Sequence, residues 1–315
     1  MKGDVRHVLF VWLLVIGAFC LAGQVSSCTS LTAATSVSAQ AAGEAGYIDP
    51  KMADAIVQSG DAMTRAVEEM TPEQAYYIGR AVGANILINY KIDTSNPELV
   101  QYLNKIVNAL AINSDQSDRT LVRLYNGYHV AILDSAEINA FATSGGHIFI
   151  TRGLLQCAAS EDALAAVLAH EIAHIQLQHS IKAIKTSRIT QAWMYTGSSV
   201  VGAATSGTSL AELANIFDES VTDIIREMIN NGYSRAQEFD ADALALSILA
   251  SAGYDPVSLL DMLRELDKSQ PRNPGGFNKT HPAPKERITN ANRKSRAYTV
   301  ADTRSYRRAR FSAAR

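Results

Sequence analysis

The sequence predicts an α+β fold, mainly helical, with a small β-sheet beside a central helix. Helical apolar spacing recurs in long segments on both sides of the chain's middle. Between them lies a β-prone stretch with a hairpin signal, Asn126-Gly127. An Ala/Leu-rich helix follows directly and carries both acidic and imidazole side chains.

Residues 72–89 read as the first helix, with Ile78, Val82, Ile86 and Leu87 expected on one face. Residues 97–110 read as a second. Residues 120–125 and 129–133 read as strands around Asn126-Gly127, and residues 136–150 add further strand and turn, including Ile148-Phe149-Ile150. Ser160 is then an N-cap, and Glu161 and Asp162 complement the positive end of a helix dipole. The run Ala163, Leu164, Ala166, Val167, Leu168, Ala169 and Ile172 leaves that helix little polar surface, so it is expected to be buried. Residues 196–209 are rich in Gly, Ser, Thr and Ala, which breaks the helical run and suits a mobile loop or lid. A helix over 210–230 leads to another, capped by Ser234 and ending at Gly253.

With 315 residues, 47% hydrophobic content and a net charge of −2, the chain is long enough for one large domain or two small ones. The near-neutral charge argues against a nucleic-acid partner and against a disordered chain. No internal repeat is present, and after Gly23 no apolar run is long and unbroken enough to span a bilayer. Lys2 and Arg6 precede an apolar run over residues 8–23, the profile of a signal peptide over 1–27. Val25-Ser26-Ser27-Cys28 resembles a bacterial lipobox, which would anchor the mature chain to a membrane through lipid on Cys28. An ordinary cleaved signal or an uncleaved anchor fits the same composition. Residues 28–66, rich in Ser, Thr and Ala at their start, form the tether and lead-in. Thr29 at the following position favours the outer membrane, facing the periplasm. Of the cysteines, Cys20 lies in the removed segment and Cys28 carries lipid, so Cys157 stands alone as a small buried apolar residue, with no intramolecular disulfide.

The chemistry centres on His170-Glu171-Ile172-Ala173-His174, an H-E-x-x-H segment. On a helix, histidines four apart share one face, where both imidazoles reach one metal ion and the glutamate between them can take a proton from water. A chance match in a chain this long has odds of roughly 1 in 100, so the motif alone does not decide. A buried helix strengthens it, because buried His and Glu need partners that a metal supplies. The open third-ligand candidates are His179, Glu212, Asp218, Glu219, Glu227, Glu238, Asp240, Asp242 and His281. On a continuing helix His179 points to a different face and reads as a surface residue. The Ser234 helix is the better source, with Glu238 and Asp242 as i,i+4 neighbours and Arg235 alongside; a salt-bridged solvent face would look the same.

Together, His170 to His174, Tyr233-Ser234-Arg235 and Glu238-x-x-Ala241-Asp242 resemble the HtpX/BepA-type zinc metallopeptidases, gluzincins of the larger group that includes the CAAX prenyl proteases. The resemblance runs from about Thr71 to about Ile288. It takes in Asn139-Ala140-Phe141-Ala142, Gly145-Gly146-His147-Ile148, Thr151-Arg152-Gly153-Leu154-Leu155, Ala252-Gly253-Tyr254-Asp255-Pro256, and Thr280-His281-Pro282 with Glu286-Arg287. Ser144 departs from the pattern, which has proline there.

The resemblance implies a zincin-like domain over 67–290, followed by a basic tail over 291–315. It implies one Zn2+ per chain held by His170, His174 and Glu238, with Glu171 as general base. Asp242 would steady a ligand histidine or donate a proton. His281 would stabilise the oxyanion, or swing onto the metal and silence the site. Arg235 would pair with these carboxylates, and His147 would be structural. The strand 148–150 would offer its edge to an extended peptide. The expected activity is a periplasmic zinc endopeptidase acting on unfolded or misassembled envelope proteins. The rival is a zinc-bound chaperone or assembly factor that cleaves little, with envelope assembly partners. From Arg293 to Arg315 eight Lys and Arg stand against Asp302, a tail suited to anionic lipid, an acidic partner or plain solvation.

Overall fold

A computed structural model describes residues 72–114, 127–182, 222, 224–225, 232–269, 276–282, 284–300 and 302–314. They belong to one compact unit, residues 70–183 and 213–315. The leader, Cys28, the tether, the strand expected over 120–125, the loop over 196–209 and most of the helix over 210–230 lie outside the described residues.

Helix α1, Pro72–Asn89, buries Ile78, Val82 and Ile86, a stripe at i,i+4 spacing. Leu87 does not share that face: it lies about 100° round from Ile86 and is 37% exposed. Helix α2, Pro97–Ile112, opens with Asn96, whose side chain accepts from Leu99 N at 2.9 Å, and with proline at its first position. Its buried side carries Leu103, Ile106, Val107, Leu110 and Ala111.

The sheet holds β1, His129–Leu133, β2, Ala140–Ala142, and β3, His147–Thr151, in the order β1-β3-β2. Strand β3 runs parallel to β1 and antiparallel to β2, with Ala131 opposite Phe149 and Phe141 opposite Phe149 on the other side. It is therefore the central strand, and its near-continuous burial follows. The expectation that 148–150 offers an edge is thus corrected, since neighbours saturate both its sides. Among the described strands, the outer one beside the central helix is β2.

Thr151 ends β3 and caps α3, Arg152–Cys157, its hydroxyl accepting from Leu154 N at 3.3 Å. Cys157 is only half-buried, its thiol donating to Gly153 O at 3.4 Å. Ser144 holds its turn differently from a proline, its hydroxyl donating to Ala75 O at 2.7 Å and tying the turn to α1.

Helix α4, Glu161–Gln176, is capped by Ser160 and buried along almost its whole length. Its main partner is α5, Arg235–Ser251, which opens on a full capping box between Ser234 and Gln237. Gly253, at φ +78°, ends α5. Helices α6, Val257–Ser269, α7, Phe277–Thr280, and α8, Pro284–Ser295, complete the packing. The boundary expected at residue 290 falls inside α8, whose Ala291 is fully buried.

The basic tail is not a loose strand of charge: it forms α9, Arg304–Ala314, which buries Phe311. Arg307 donates to Asp162 at 2.9 Å and to the Gly253 carbonyl at 3.1 Å, and Arg310 grips Glu161 with bonds of 3.1 and 2.5 Å. Two of its four arginines are thereby spent on the acidic first turn of α4, while Arg304 pairs with Asp302 and Arg308 is exposed. No described helix is long and apolar enough to cross a membrane.

Candidate metal centre

Helix α4 presents His170 and His174 toward α5, and α5 returns Glu238 and Asp242 from the same turn spacing. All four side chains are almost fully buried. His281, which closes α7, enters from a third direction. Tyr233 N donates to Thr280 O at 3.0 Å, and the Thr280 hydroxyl donates to Asn139 Oδ1 at 3.1 Å, fixing this segment between the start of α5 and the sheet. Phe277 stacks on the His281 ring at 4.3 Å between centroids, and Tyr233 stacks on His174 at 4.0 Å.

The ligand atoms of His170, His174, Glu238 and His281 all lie within 4.8 Å of one another. His174 Nε2 is 3.0 Å from His170 Nε2 and 3.4 Å from Glu238 Oε1, and His281 Nδ1 is 3.1 Å from Glu238 Oε1. Beside them Glu171 Oε1 is buried without a hydrogen-bond partner, 3.6 Å from His281 Nε2. A cluster of buried nitrogen and carboxylate donors next to an unsatisfied carboxylate oxygen fits a divalent metal with a water beside it. His281 is buried in the same cluster.

Asp242 Oδ1 stands 3.1 Å from His170 Nδ1, behind the ligand face. Arg235, expected beside these carboxylates, instead pairs at the surface with Glu286 at 3.0 Å. The guanidinium that reaches them is Arg287 of α8, which is fully buried. Its Nε and Nη2 donate to the two Asp242 oxygens at 2.9 and 2.7 Å, a bidentate grip. Its Nη1 lies 2.6 Å from Glu238 Oε2, an ion contact outside hydrogen-bond alignment.

His179 is the other correction. It is buried, with Nδ1 2.9 Å from His174 Nδ1. Helix α4 stops at Gln176, and Gln178 takes φ +54°, which redirects the chain and swings the next residue back over the helix it has just left. His147 is half-buried on β3, its Nδ1 3.3 Å from the Thr143 hydroxyl, and takes no part in the cluster.

Electrostatics follow the geometry. Burial works against the charged form of Glu238, yet Arg287 and His281 beside it and hydrogen bonds from His170 and His174 outweigh that and hold it well below the usual range. Asp242 behaves alike, held at about 2 against its burial chiefly by Arg287. Burial raises the Glu171 carboxyl. Burial and the Arg287 charge pull the His170 ring down, but bonds to Asp242 and Glu238 bring it up to about 9. Burial drives His174 well below its ordinary value and takes His179 down to about 4.

Comparison with known proteins agrees with this geometry. The chain matches Peptidase family M48 over residues 97–295. It is similar to the beta-barrel assembly-enhancing protease of Escherichia coli (strain K12), 25% identical over 256 residues, 78% of this chain and 49% of that protein. The protein of the same name from Yersinia pestis is 29% identical over 201 residues, 62% of this chain and 39% of that one. Metalloprotease LoiP of Escherichia coli (strain K12) is 26% identical over 198 residues, 62% of this chain and 70% of that protein. This chain therefore spans half or less of the two assembly-enhancing proteases.

Proposed function

The chain belongs to Peptidase family M48, and on that premise we propose that it is a zinc endopeptidase of the bacterial envelope that cleaves unfolded or misassembled envelope proteins. The observation that carries the proposal is the buried cluster of His170, His174 and Glu238 with the unpartnered Glu171 oxygen beside it. Zinc on those ligands would supply Lewis acidity toward a scissile carbonyl and toward water.

The protein's own groups do the rest. Glu171 accepts the proton of the attacking water and passes it to the leaving amine nitrogen, and burial, which raises its carboxyl, favours its holding the proton between the two steps. His281 Nε2, 3.6 Å from Glu171 Oε1, is placed to donate to the developing oxyanion. Asp242 accepts from His170 Nδ1 and sets the ring so that Nε2 faces the metal. An extended substrate would pair with the outer side of β2, so that recognition reads backbone rather than sequence, as suits unfolded chains. The leader and Cys28 would hold the protein at the outer membrane, facing the periplasm.

One observation favours the rival reading, a zinc-bound chaperone or assembly factor. His281 Nδ1 sits among the ligand atoms, where it would fill the position that water needs. The test uses purified wild type, Glu171→Gln and His281→Ala, with zinc per chain and casein cleavage measured on each. Equal zinc in wild type and Glu171→Gln, with cleavage lowered about 100-fold or more in the latter, is the expected result. Zinc without cleavage in wild type, combined with cleavage by His281→Ala, would identify an enzyme held shut. No zinc would sink the proposal.

A further inference from the structure

We infer that His179 is a positioning residue of the metal site: its Nδ1 accepts the hydrogen of His174 Nδ1 and so fixes the tautomer that offers His174 Nε2 to the metal. This rests on the ligand assignment of the preceding section.

The two Nδ1 atoms stand 2.9 Å apart, and both rings are buried. Between facing ring nitrogens at that distance there is room for a single hydrogen: two would collide, and none would leave two lone pairs opposed. His174 Nε2 faces His170 Nε2 and Glu238 Oε1, the ligand side. A ligating Nε2 carries no hydrogen, so the hydrogen sits on His174 Nδ1, and His179 is the acceptor. Its own hydrogen is then on Nε2.

The two ligand histidines are therefore held by different groups. His170 leans on Asp242, a carboxylate gripped by Arg287. His174 leans on a neutral imidazole. A carboxylate in the same place would add negative charge to a buried region that already holds Glu171, Glu238 and Asp242. Tyr233 stacks on the His174 ring at 23° and stands 5.9 Å from the His179 ring, which fixes the plane in which the bond forms. The backbone is bent to make this contact: a non-glycine residue, Gln178, occupies the left-handed region immediately before His179.

The experiment measures zinc affinity by competition with a chromophoric chelator in the full chain, in a Glu171→Gln background that prevents self-cleavage. His179→Asn keeps an acceptor oxygen near the Nδ1 position; His179→Phe keeps the ring and removes the acceptor. The expected result is a loss of about 10- to 100-fold for His179→Phe and recovery of most of the affinity in His179→Asn. Metal-free melting temperatures of both variants are measured alongside. Parental zinc affinity in His179→Phe overturns the inference, as does an equal loss in both variants that tracks a common drop in metal-free melting. Absence of zinc binding in the Glu171→Gln parent is a separate result that overturns the ligand assignment and the inference with it.

Discussion

Replacing Arg287 with methionine removes a charge while keeping much of the side chain's apolar volume. In the wild type this guanidinium is fully buried and covers both oxygens of Asp242 and one of Glu238. Both carboxylates are themselves buried, and Arg287 is the largest of the influences that hold each of them ionised against burial. Removing one partner of a buried ion pair costs about 3–5 kcal/mol, because the charge left behind is neither solvated nor paired. For a domain of this size each kcal/mol moves the melting temperature by about 2–4 °C, so Arg287→Met should melt roughly 6–20 °C below wild type. The loss should be largest with chelator present and smaller with zinc, since a bound cation compensates Glu238. Arg287→Met combined with Asp242→Asn should recover part of the loss, because the second change removes the stranded charge. Thermal denaturation followed by circular dichroism, with chelator and with zinc, reads all of this. A single variant melting within about 2 °C of wild type in chelator would refute the reasoning.

Two further predictions concern parts of the domain away from the metal. Arg307→Met should lower the melting temperature by about 6 °C or more, since it strands Asp162 and frees the Gly253 carbonyl, whereas exposed Arg308→Met should change it by about 1 °C or less; equal shifts would show that α9 does not clasp α4. Burial first, and then the neighbouring His129 and Arg80, hold the His147 pKa below its ordinary 6.5. The unfolded chain thus binds the proton more tightly than the folded one. The stability contributed by neutral His147 is full above pH 6.5 and is lost as pH falls through and below that value. Melting measured from pH 7.5 down to about pH 5 should fall less steeply in His147→Gln than in wild type, and parallel curves would contradict the assignment.

Much of this site was legible in the sequence because local rules govern its main parts. Ser160 and Ser234 announce helix starts through their side-chain oxygens, Gly253 marks a stop by its left-handed backbone, and four-residue spacing places His170 with His174 and Glu238 with Asp242. What failed was set at long range. Nothing in Leu177-Gln178 signals a reversal, since glutamine is not a residue that favours positive φ, so His179 read as a surface group. Arg235 stood at the right helical spacing, but only tertiary packing decides that Arg287 of α8 fills that place. The centrality of β3 follows from a crossover that no strand-length pattern encodes. One signal was present and unused: Arg307 and Phe311, four apart, form an inward stripe in a segment whose charge otherwise suggests solvation.

The arrangement of charge explains why the outer contacts are as particular as the ligands. Among the described residues Arg287 is the one arginine or lysine against Glu171, Glu238 and Asp242, so with all three ionised and the histidines neutral the cluster carries two uncovered negative charges, which a divalent cation would cover. Without such a cation His170 takes up positive charge instead, and its ring is raised to about 9 by the two carboxylates beside it. Arg287 is thus more than a structural tie. If it were neutral, a divalent cation would leave the cluster negative; if another cation joined it, the carboxylates would be covered already and the ligand face would lose its hold on a metal. The same reasoning requires that the group behind His174 add no charge, and His179, pressed toward its neutral form by burial, adds none. With Arg287 and a divalent cation in place the centre would be neutral while Glu171 is ionised, and the proton that Glu171 takes from water would be the one charge added during the reaction.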